Sequence, residues 1–236
     1  MENFDFARPF QYLMGDPAWL KKVLLGGLFI LIPIIGPFVL MGYSIRIMRQ
    51  VADGNDAALP EWDQFGDDLV TGLKAFVVVL GWIAPGLIIY IGATIVGIGV
   101  AAAMGNHAND NPLPGLVMMG GTCLGFPLLG LGALLSPIGV LRFADTGELG
   151  AGFRFGEIFG FIKNNFVNIL LAIVVSMLSG FVAQFGIILC LIGVIFTAAA
   201  ATMIRSHAWG QVLRLDRARN NAPVTTTPAP RPAGAY

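Results

Sequence analysis

The sequence predicts an all-α protein: a polytopic helical membrane protein with four to six membrane helices, a weak internal repeat and two amphipathic helices at the membrane interface. Composition is the first observation behind this prediction. Of the 236 residues, 56% are hydrophobic and only 12% are charged, and the mean hydropathy is +0.77, whereas soluble domains carry about 25% charged residues. The second observation is a series of long apolar runs, separated by polar segments that hold all 14 lysines and arginines.

Three regions are predicted along the chain. Residues 1–16 form an aromatic cytoplasmic segment, in which no basic region followed by an apolar core marks a cleavable signal peptide. Residues 17–215 form the helical transmembrane domain. Residues 216–236 are rich in proline and threonine, which predicts a disordered cytoplasmic tail.

The apolar runs predict the membrane helices, and they cover residues 23–43, 75–104, 116–141 and 166–203. The last run would be about 57 Å long as one helix, nearly twice a hydrocarbon core of about 30 Å. It therefore predicts two helices that turn near Gln184-Phe185-Gly186. Proline removes a helical hydrogen bond, so we expect breaks between Pro33 and Pro37 in the first run and at Pro85-Gly86 in the second.

The distribution of lysine and arginine predicts the topology. If each run crossed the membrane once, the basic residues would divide 8 to 6 between the two sides. If 23–43 and 166–203 are both hairpins, all 14 lie on the cytoplasmic side, as the positive-inside rule prefers. This arrangement predicts a multi-pass protein of the prokaryotic plasma membrane with both termini cytoplasmic and the loop 105–115 outside. Whether the first hairpin spans or only re-enters the bilayer stays open.

Two polar segments contain apolar residues at helical spacing, which predicts interfacial amphipathic helices over 61–73 and 151–162. The apolar positions are Trp62, Phe65, Leu69 and Leu73 in one segment, and Phe155, Ile158, Phe159 and Ile162 in the other. The same segments belong to a weak repeat, in which Ala52-Asp53 and Phe65-Gly66-Asp67 correspond to Ala144-Asp145 and Phe155-Gly156-Glu157. Such repeats either place a site at their interface or only build a scaffold, and both interpretations stay open.

A group of motifs is similar to the domain of unknown function 4013, a family of prokaryotic multi-pass membrane proteins. The residues that carry the resemblance are Gly42-Tyr43, Arg46, Arg49, Gly54, Leu59-Pro60-Glu61-Trp62 and Gly72-Leu73-Lys74, followed by Arg142-Phe143-Ala144, Phe153-Arg154-Phe155 and Ala208-Trp209-Gly210-Gln211. The resemblance covers about residues 17–215. It implies a helical membrane domain and brings no catalytic residues.

The densest charged feature is an acidic cluster formed by Asp53, Asp56, Glu61, Asp63, Asp67 and Asp68. It suits a cation site or a dock for a basic segment. Alternatively, Asp63 and Asp67 cap the free N–H groups of a helix that begins there. The cluster lacks the residue order of a calcium-binding loop.

His107 lies among Asn106, Asn109, Asp110 and Asn111, and this grouping suits either a metal site or a plain turn. In the predicted topology His207 lies on the other side of the bilayer and cannot share a metal with it. Cys123 and Cys190 form no disulfide framework, and no nucleotide-binding or hydrolase motif occurs. The sequence therefore predicts no catalytic, cofactor-binding or metal-binding residue, and no cofactor.

Small residues recur four apart on helix faces, which lets helices pack closely in lipid. The pairs are Gly121 and Gly125, Gly132 and Ser136, and Ser176 and Gly180. We expect Gly121 and Gly125 to face Gly92, Gly97 and Gly99, and Val79 to face lipid. Such faces suit packing within the chain, against another membrane protein or against a second copy.

The predicted spans contain no Asp, Glu, Lys, Arg or His at mid-depth, whereas proton-coupled transporters and intramembrane hydrolases need them. We therefore predict that the protein is not an enzyme but a scaffold or accessory subunit. The alternative is a channel or transporter-like protein for small or lipidic solutes. The lipid bilayer is its expected partner, and with zero net charge no nucleic acid is expected.

Overall fold

The computed structural model describes residues 3–105, 111–186 and 190–220. These ranges contain seven α-helices and one short 3₁₀-helix over Leu149–Phe153, and no strand. The helices are α1 (Arg8–Gly15), α2 (Trp19–Ile30), α3 (Ile35–Ala52), α4 (Phe65–Met104), α5 (Leu113–Thr146), α6 (Phe155–Gln184) and α7 (Cys190–Asn220). The all-α prediction is confirmed.

Helices α2 and α3 form the first predicted hairpin. The turn follows Ile30 and contains Pro33 and Ile34, whose φ of 70° lies in the left-handed region that a β-branched residue rarely adopts. Gly36, in the first turn of α3, lies so close to α2 that a Cβ there would collide with the Phe29 carbonyl oxygen. The predicted break between Pro33 and Pro37 is confirmed.

Helices α4 and α5 form a long antiparallel pair. α4 is continuous through Pro85 and α5 through Pro127 and Pro137. The predicted interruption at Pro85-Gly86 is therefore wrong. A proline removes only one helical hydrogen bond, and here the neighbouring helix supports the backbone on both sides of it.

Small residues let α4 and α5 approach closely, as predicted for Gly121 and Gly125. A Cβ on Gly125 would lie 2.9 Å from Tyr90 Cβ and 3.1 Å from the Gly86 carbonyl oxygen, and one on Gly121 would collide with Ala93. Of the three glycines of α4 that were predicted to face α5, only Gly97 does so. A Cβ on Gly97 would lie 3.1 Å from the Pro114 carbonyl oxygen, whereas one on Gly92 or Gly99 would meet no atom within 4 Å.

Helices α6 and α7 confirm that the run 166–203 forms two helices. α6 ends at Gln184 and α7 begins at Cys190, with residues 187–189 outside the described ranges. Gly186 faces α7, since its Cβ would lie 2.8 Å from the Gly193 carbonyl oxygen. α7 continues to Asn220, past the predicted domain boundary at residue 215.

The two predicted amphipathic segments are continuous with longer helices. Residues 65–73 form the first turns of α4, and residues 61–64 precede that helix. In the second segment, residues 155–164 form the first part of α6, which bends at Asn165, where φ is −120°. The location of these segments in a membrane interface stays a prediction.

The packed core lies at one end of the bundle, around α3 and the C-terminal half of α7. Its fully buried side chains include Tyr43, Ile47, Phe143, Met203 and Leu213. Val79 packs against this core, so the expectation that it faces lipid is wrong. Toward the other end, large apolar side chains are exposed, among them Ile88, Ile95, Leu124, Phe126, Met177 and Phe181. Three of the described helices, α4, α5 and α6, are long and apolar enough to cross a membrane.

Candidate functional site

Charged side chains from several helices meet at the packed end of the bundle, which we call the charged end. It comprises α1, the first turns of α2, α4 and α6, the last turns of α3, α5 and α7, and the segment 53–64. Its charged residues are Arg8, Asp16, Lys22, Arg46, Asp53, Asp56, Glu61, Asp63, Asp68, Arg142, Asp145, Glu157, Arg214, Asp216 and Arg217.

The most deeply buried ion pair among the described residues joins Lys22 to Asp16, with 2.8 Å between Nζ and Oδ2 and about 3% of each residue exposed. Lys22 also donates to the Leu59 carbonyl at 2.7 Å and pairs with Glu61 at 2.6 Å. Asp16 accepts hydrogen bonds from the backbone N–H groups of Leu59 and Ala18. Burial alone would raise the pKa of Asp16, but Lys22 and the two backbone donors hold it below its usual value.

The motif Leu59-Pro60-Glu61-Trp62 is held by the same region of α2 and α3. Trp62 Nε1 donates to the Lys22 carbonyl at 3.0 Å, and Tyr43 donates its hydroxyl to the Pro60 carbonyl at 2.8 Å. The Tyr43 and Trp62 rings are stacked with centroids 3.8 Å apart. These family-motif residues therefore fasten the 53–64 segment to the bundle.

Glycines of the same motifs bring α3 and α4 together. A Cβ on Gly42 would collide with the Asp68 carbonyl oxygen, and a Cβ on Gly72 with that of Phe38. Arg46, one turn beyond Gly42, pairs with Asp63 at 2.8 Å and with the buried Asp68 at 2.6 Å. The sequence motif is thus explained by a close helix crossing and the ion pairs beside it.

The residues of the acidic cluster do not form one site, because they pair with different basic side chains. Glu61 pairs with Lys22, Asp56 with Arg8, and Asp53 with Arg217. No side chain caps the N-terminus of α4 by a hydrogen bond, so the interpretation of Asp63 and Asp67 as hydrogen-bonding caps is wrong, although Asp67 lies in the first turn of α4, where a negative charge suits the helix dipole. Asp63 instead accepts a hydrogen bond from Arg46 of α3, because the guanidinium is a charged donor. Within the described ranges, no three His, Cys, Asp or Glu residues are grouped to hold a metal ion.

His207 is fully buried at the charged end, a position that its sequence context did not indicate. Its ring lies 4.5 Å from that of Tyr12, its Nδ1 is 3.3 Å from Gln211 Nε2, and its Nε2 is 3.8 Å from Asp56 Oδ2. Burial lowers the pKa of His207 to about 4. The four-residue spacing of His207 and Gln211 is the one signal that places them on the same helix face, and nothing in the sequence indicates that α1 covers it. His107, by contrast, lies outside the described residues.

The two halves of the repeat meet at Arg217. Its guanidinium lies 2.7 Å from Asp53 Oδ1 and 2.8 Å from Asp145 Oδ1, and these carboxylates occupy equivalent places in the repeat. Arg49 adds a second link, donating to the Ala144 carbonyl at 2.8 Å. On the far side, Asn165 donates to Asp216 at 2.5 Å and so fixes the bend of α6 against α7. The arrangement holds helices together, and each carboxylate in it already has a partner.

Comparison with known proteins identifies the family of the chain. A family model described as a protein of unknown function (DUF4013) matches residues 25–192. The uncharacterized protein MJ1189 of Methanocaldococcus jannaschii is 27% identical over 201 residues, which is 80% of this chain. The chain spans 64% of the length of that relative. No solved structure matches the chain significantly. The chain belongs to the DUF4013 family of proteins of unknown function.

Proposed function

We propose that this chain is a multi-pass protein of the prokaryotic plasma membrane that acts as a non-enzymatic scaffold or accessory subunit, with both termini in the cytoplasm. Three long apolar helices support a membrane location. No lysine or arginine occurs between residues 75 and 141, so the far end of the α4–α5 pair lacks the charges that the cytoplasmic side retains.

The observation that carries a non-enzymatic role is the internal pairing of the charged end. Lys22, Arg46 and Arg217 each bind two carboxylates, and His207 is enclosed beside Tyr12. A catalytic acid or base must reach a substrate, whereas these groups reach one another. Their geometry serves to fix the relative positions of helices.

A partner would bind the exposed face of α6. This helix packs chiefly on α7, and its other side presents Phe166, Val167, Leu170, Met177 and Phe181. Gly180 lies on α6 with no atom within 4 Å of a Cβ built there, so the small face predicted at Ser176 and Gly180 is not used within the described chain. A partner helix could approach closely at that point.

The test is purification of the full chain from its native membrane in mild detergent, with a photo-crosslinking residue at Met177. A stoichiometric partner, crosslinked at Met177 and not from the equally exposed Leu124 of α5, is the expected result. A protein that purifies alone, with no crosslink to another protein from either position, would contradict the scaffold role.

The alternative, a channel or transporter-like protein for small or lipidic solutes, is favoured by one observation. A cavity of about 250 Å³ lies between α3, α4, α5 and α7 and is lined mostly by apolar side chains. Solute flux through liposomes that contain the purified chain would support this alternative.

A further inference from the structure

Arg205 on α7 differs from most of the described arginines near the bundle core. Its hydrogen bond goes to Thr202 Oγ1 of its own helix at 3.1 Å, and no carboxylate lies within 4.0 Å of it in the described ranges. Arg46, Arg142 and Arg217, by comparison, all bind carboxylates at 2.8 Å or less. An exposed guanidinium without a counter-charge is a ready partner for an anion.

Two cavities meet at this guanidinium. The first is the one of about 250 Å³ between α3, α4, α5 and α7, and the second, of about 260 Å³, lies between α5, α6 and α7. Pro137, Arg205 and Trp209 line both. The hydroxyls that line them, including Ser44, Ser136, Ser176 and Ser206, donate to carbonyls of their own helices. The combined space is therefore apolar with a single cation, which suits an anion that carries an apolar body.

The second cavity opens sideways, because α6 packs on α7 and touches α5 only marginally. Leu134 of α5 and Met177 of α6 flank the cleft and are largely exposed, at 58% and 69%. Ile173 and Ala133 continue the apolar wall inward. A chain-like apolar group can enter this cleft from the surrounding lipid without displacing a packed side chain.

The depth of Arg205 matches a phospholipid headgroup. Arg205 follows the apolar run 166–203 by two residues, so it lies at the predicted cytoplasmic edge of the hydrocarbon. On α5 the same cavity is lined by Ser136 and Pro137, which lie four to five residues inside the apolar run 116–141 and about 9 Å inward of the carboxylate-paired Arg142 at 1.5 Å per residue. A long arginine side chain near this edge can extend its guanidinium to the phosphates of the cytoplasmic leaflet.

We propose that the cleft between α5 and α6 binds an anionic phospholipid of the cytoplasmic leaflet, with its phosphate on Arg205 and an acyl chain along Leu134, Ile173 and Met177. The proposal rests on the proposed membrane location, and its cleft shares Met177 with the partner-binding face proposed for α6. Its selectivity comes from net charge, because a zwitterionic headgroup brings its own cation and gains less from an arginine.

The test compares lipid retention by the full chain in native mass spectrometry, after exchange into detergent with equal phosphatidylglycerol and phosphatidylcholine. We expect preferential retention of phosphatidylglycerol, reduced about tenfold in Arg205→Gln and largely restored in Arg205→Lys, since lysine keeps the charge. The matched control is Lys163→Gln, which removes an exposed cation of α6 outside both cavities. Retention of phosphatidylglycerol by Arg205→Gln at the wild-type level would overturn the proposal.

Two further measurements distinguish a lipid site from a site for a free anion. Leu134→Trp narrows the cleft without touching the charge, and it should also lower retention if the acyl chain lies there. Competition by millimolar inorganic phosphate would show a free-anion site and overturn the lipid assignment. Extraction of the chain from membranes by alkaline carbonate would instead refute the membrane location, so the two failures are distinguishable.

Discussion

Asp53 and Asp145, at equivalent places in the two halves of the repeat, bind the same guanidinium, that of Arg217. The C-terminal helix thereby links the end of α3 to the end of α5. The two carboxylates at equivalent places in the predicted repeat lie close to each other, and α7 supplies the cation that pairs with both. The repeat interface is thus occupied by an internal ion bridge, which favours the scaffold interpretation of the repeat.

Removing this bridge should destabilise the fold. Arg217→Gln loses its charged hydrogen bonds to both carboxylates. It leaves Asp53 without its ion-pair partner and close to Asp145, which is about one fifth exposed and keeps only its pair with Arg142. We expect a loss of about 1.5–3 kcal/mol in the free energy of unfolding. The control Arg154→Gln removes pairs between half-exposed side chains and should cost under about 1 kcal/mol. Thermal unfolding of both variants in one detergent checks this, and equal melting temperatures would contradict it.

The Lys22–Asp16 pair should matter more, because it is almost fully buried. Lys22→Met removes the cation and leaves the Asp16 carboxylate buried, which typically costs about 3–5 kcal/mol. Lys21→Met, at the neighbouring exposed lysine, is the matched control and should be almost neutral. Chemical denaturation in detergent measures both. If the two variants unfolded at the same denaturant concentration, the pair would have no structural role.

His207 predicts a pH dependence of stability. Its pKa is 6.5 in the unfolded chain and about 4 when buried, so the unfolded chain binds the proton more tightly. The contribution of His207 to stability is therefore complete above pH 6.5 and falls as the pH drops toward 4, by about 3 kcal/mol over the window. Asp16 and Asp56 have lowered pKa values and lose their contributions only below their ordinary value of 3.8, and Glu157 only below its ordinary value of 4.5. Burial raises the pKa of Asp68, which acts in the opposite direction as the pH falls. Unfolding of wild type and His207→Leu from pH 7 to 4.5 tests this, since the variant should lack the part of the slope that His207 supplies.

The helices were largely predictable, whereas the partners of the charged residues were not. Apolar runs longer than a bilayer core showed where α6 and α7 divide, and Pro33 showed where α2 ends, because both features act locally. The pairing of Arg217 with Asp53 and Asp145 depends on how distant helices pack, and no local spacing reports that. The predicted interruption at Pro85 was wrong because it, too, depends on packing between helices. The neighbouring helix determines whether a proline interrupts a long apolar helix.

Topology is testable without a structure. In a background lacking Cys123 and Cys190, a membrane-impermeant thiol reagent applied to intact cells should label Asn109→Cys, which lies between the predicted spans 75–104 and 116–141. Thr226→Cys, beyond the end of α7, should react only after the cells are opened. Labelling of Thr226→Cys in intact cells would show that the C-terminus is outside and would refute the proposed topology.

The last prediction concerns the seam between α4 and α5. Gly125→Leu would add four heavy atoms at a position where even a Cβ would lie 2.9 Å from Tyr90 Cβ. Overpacking of this kind typically lowers the free energy of unfolding by about 1–3 kcal/mol. Gly120→Leu is the matched control, because it makes the same chemical change on the same helix where no atom lies within 4 Å of the new Cβ. Both variants gain the same helix propensity from losing glycine, so the difference between them reports packing alone. We expect Gly125→Leu to melt below Gly120→Leu in the same detergent, and equal melting temperatures would show that α4 and α5 separate there in solution.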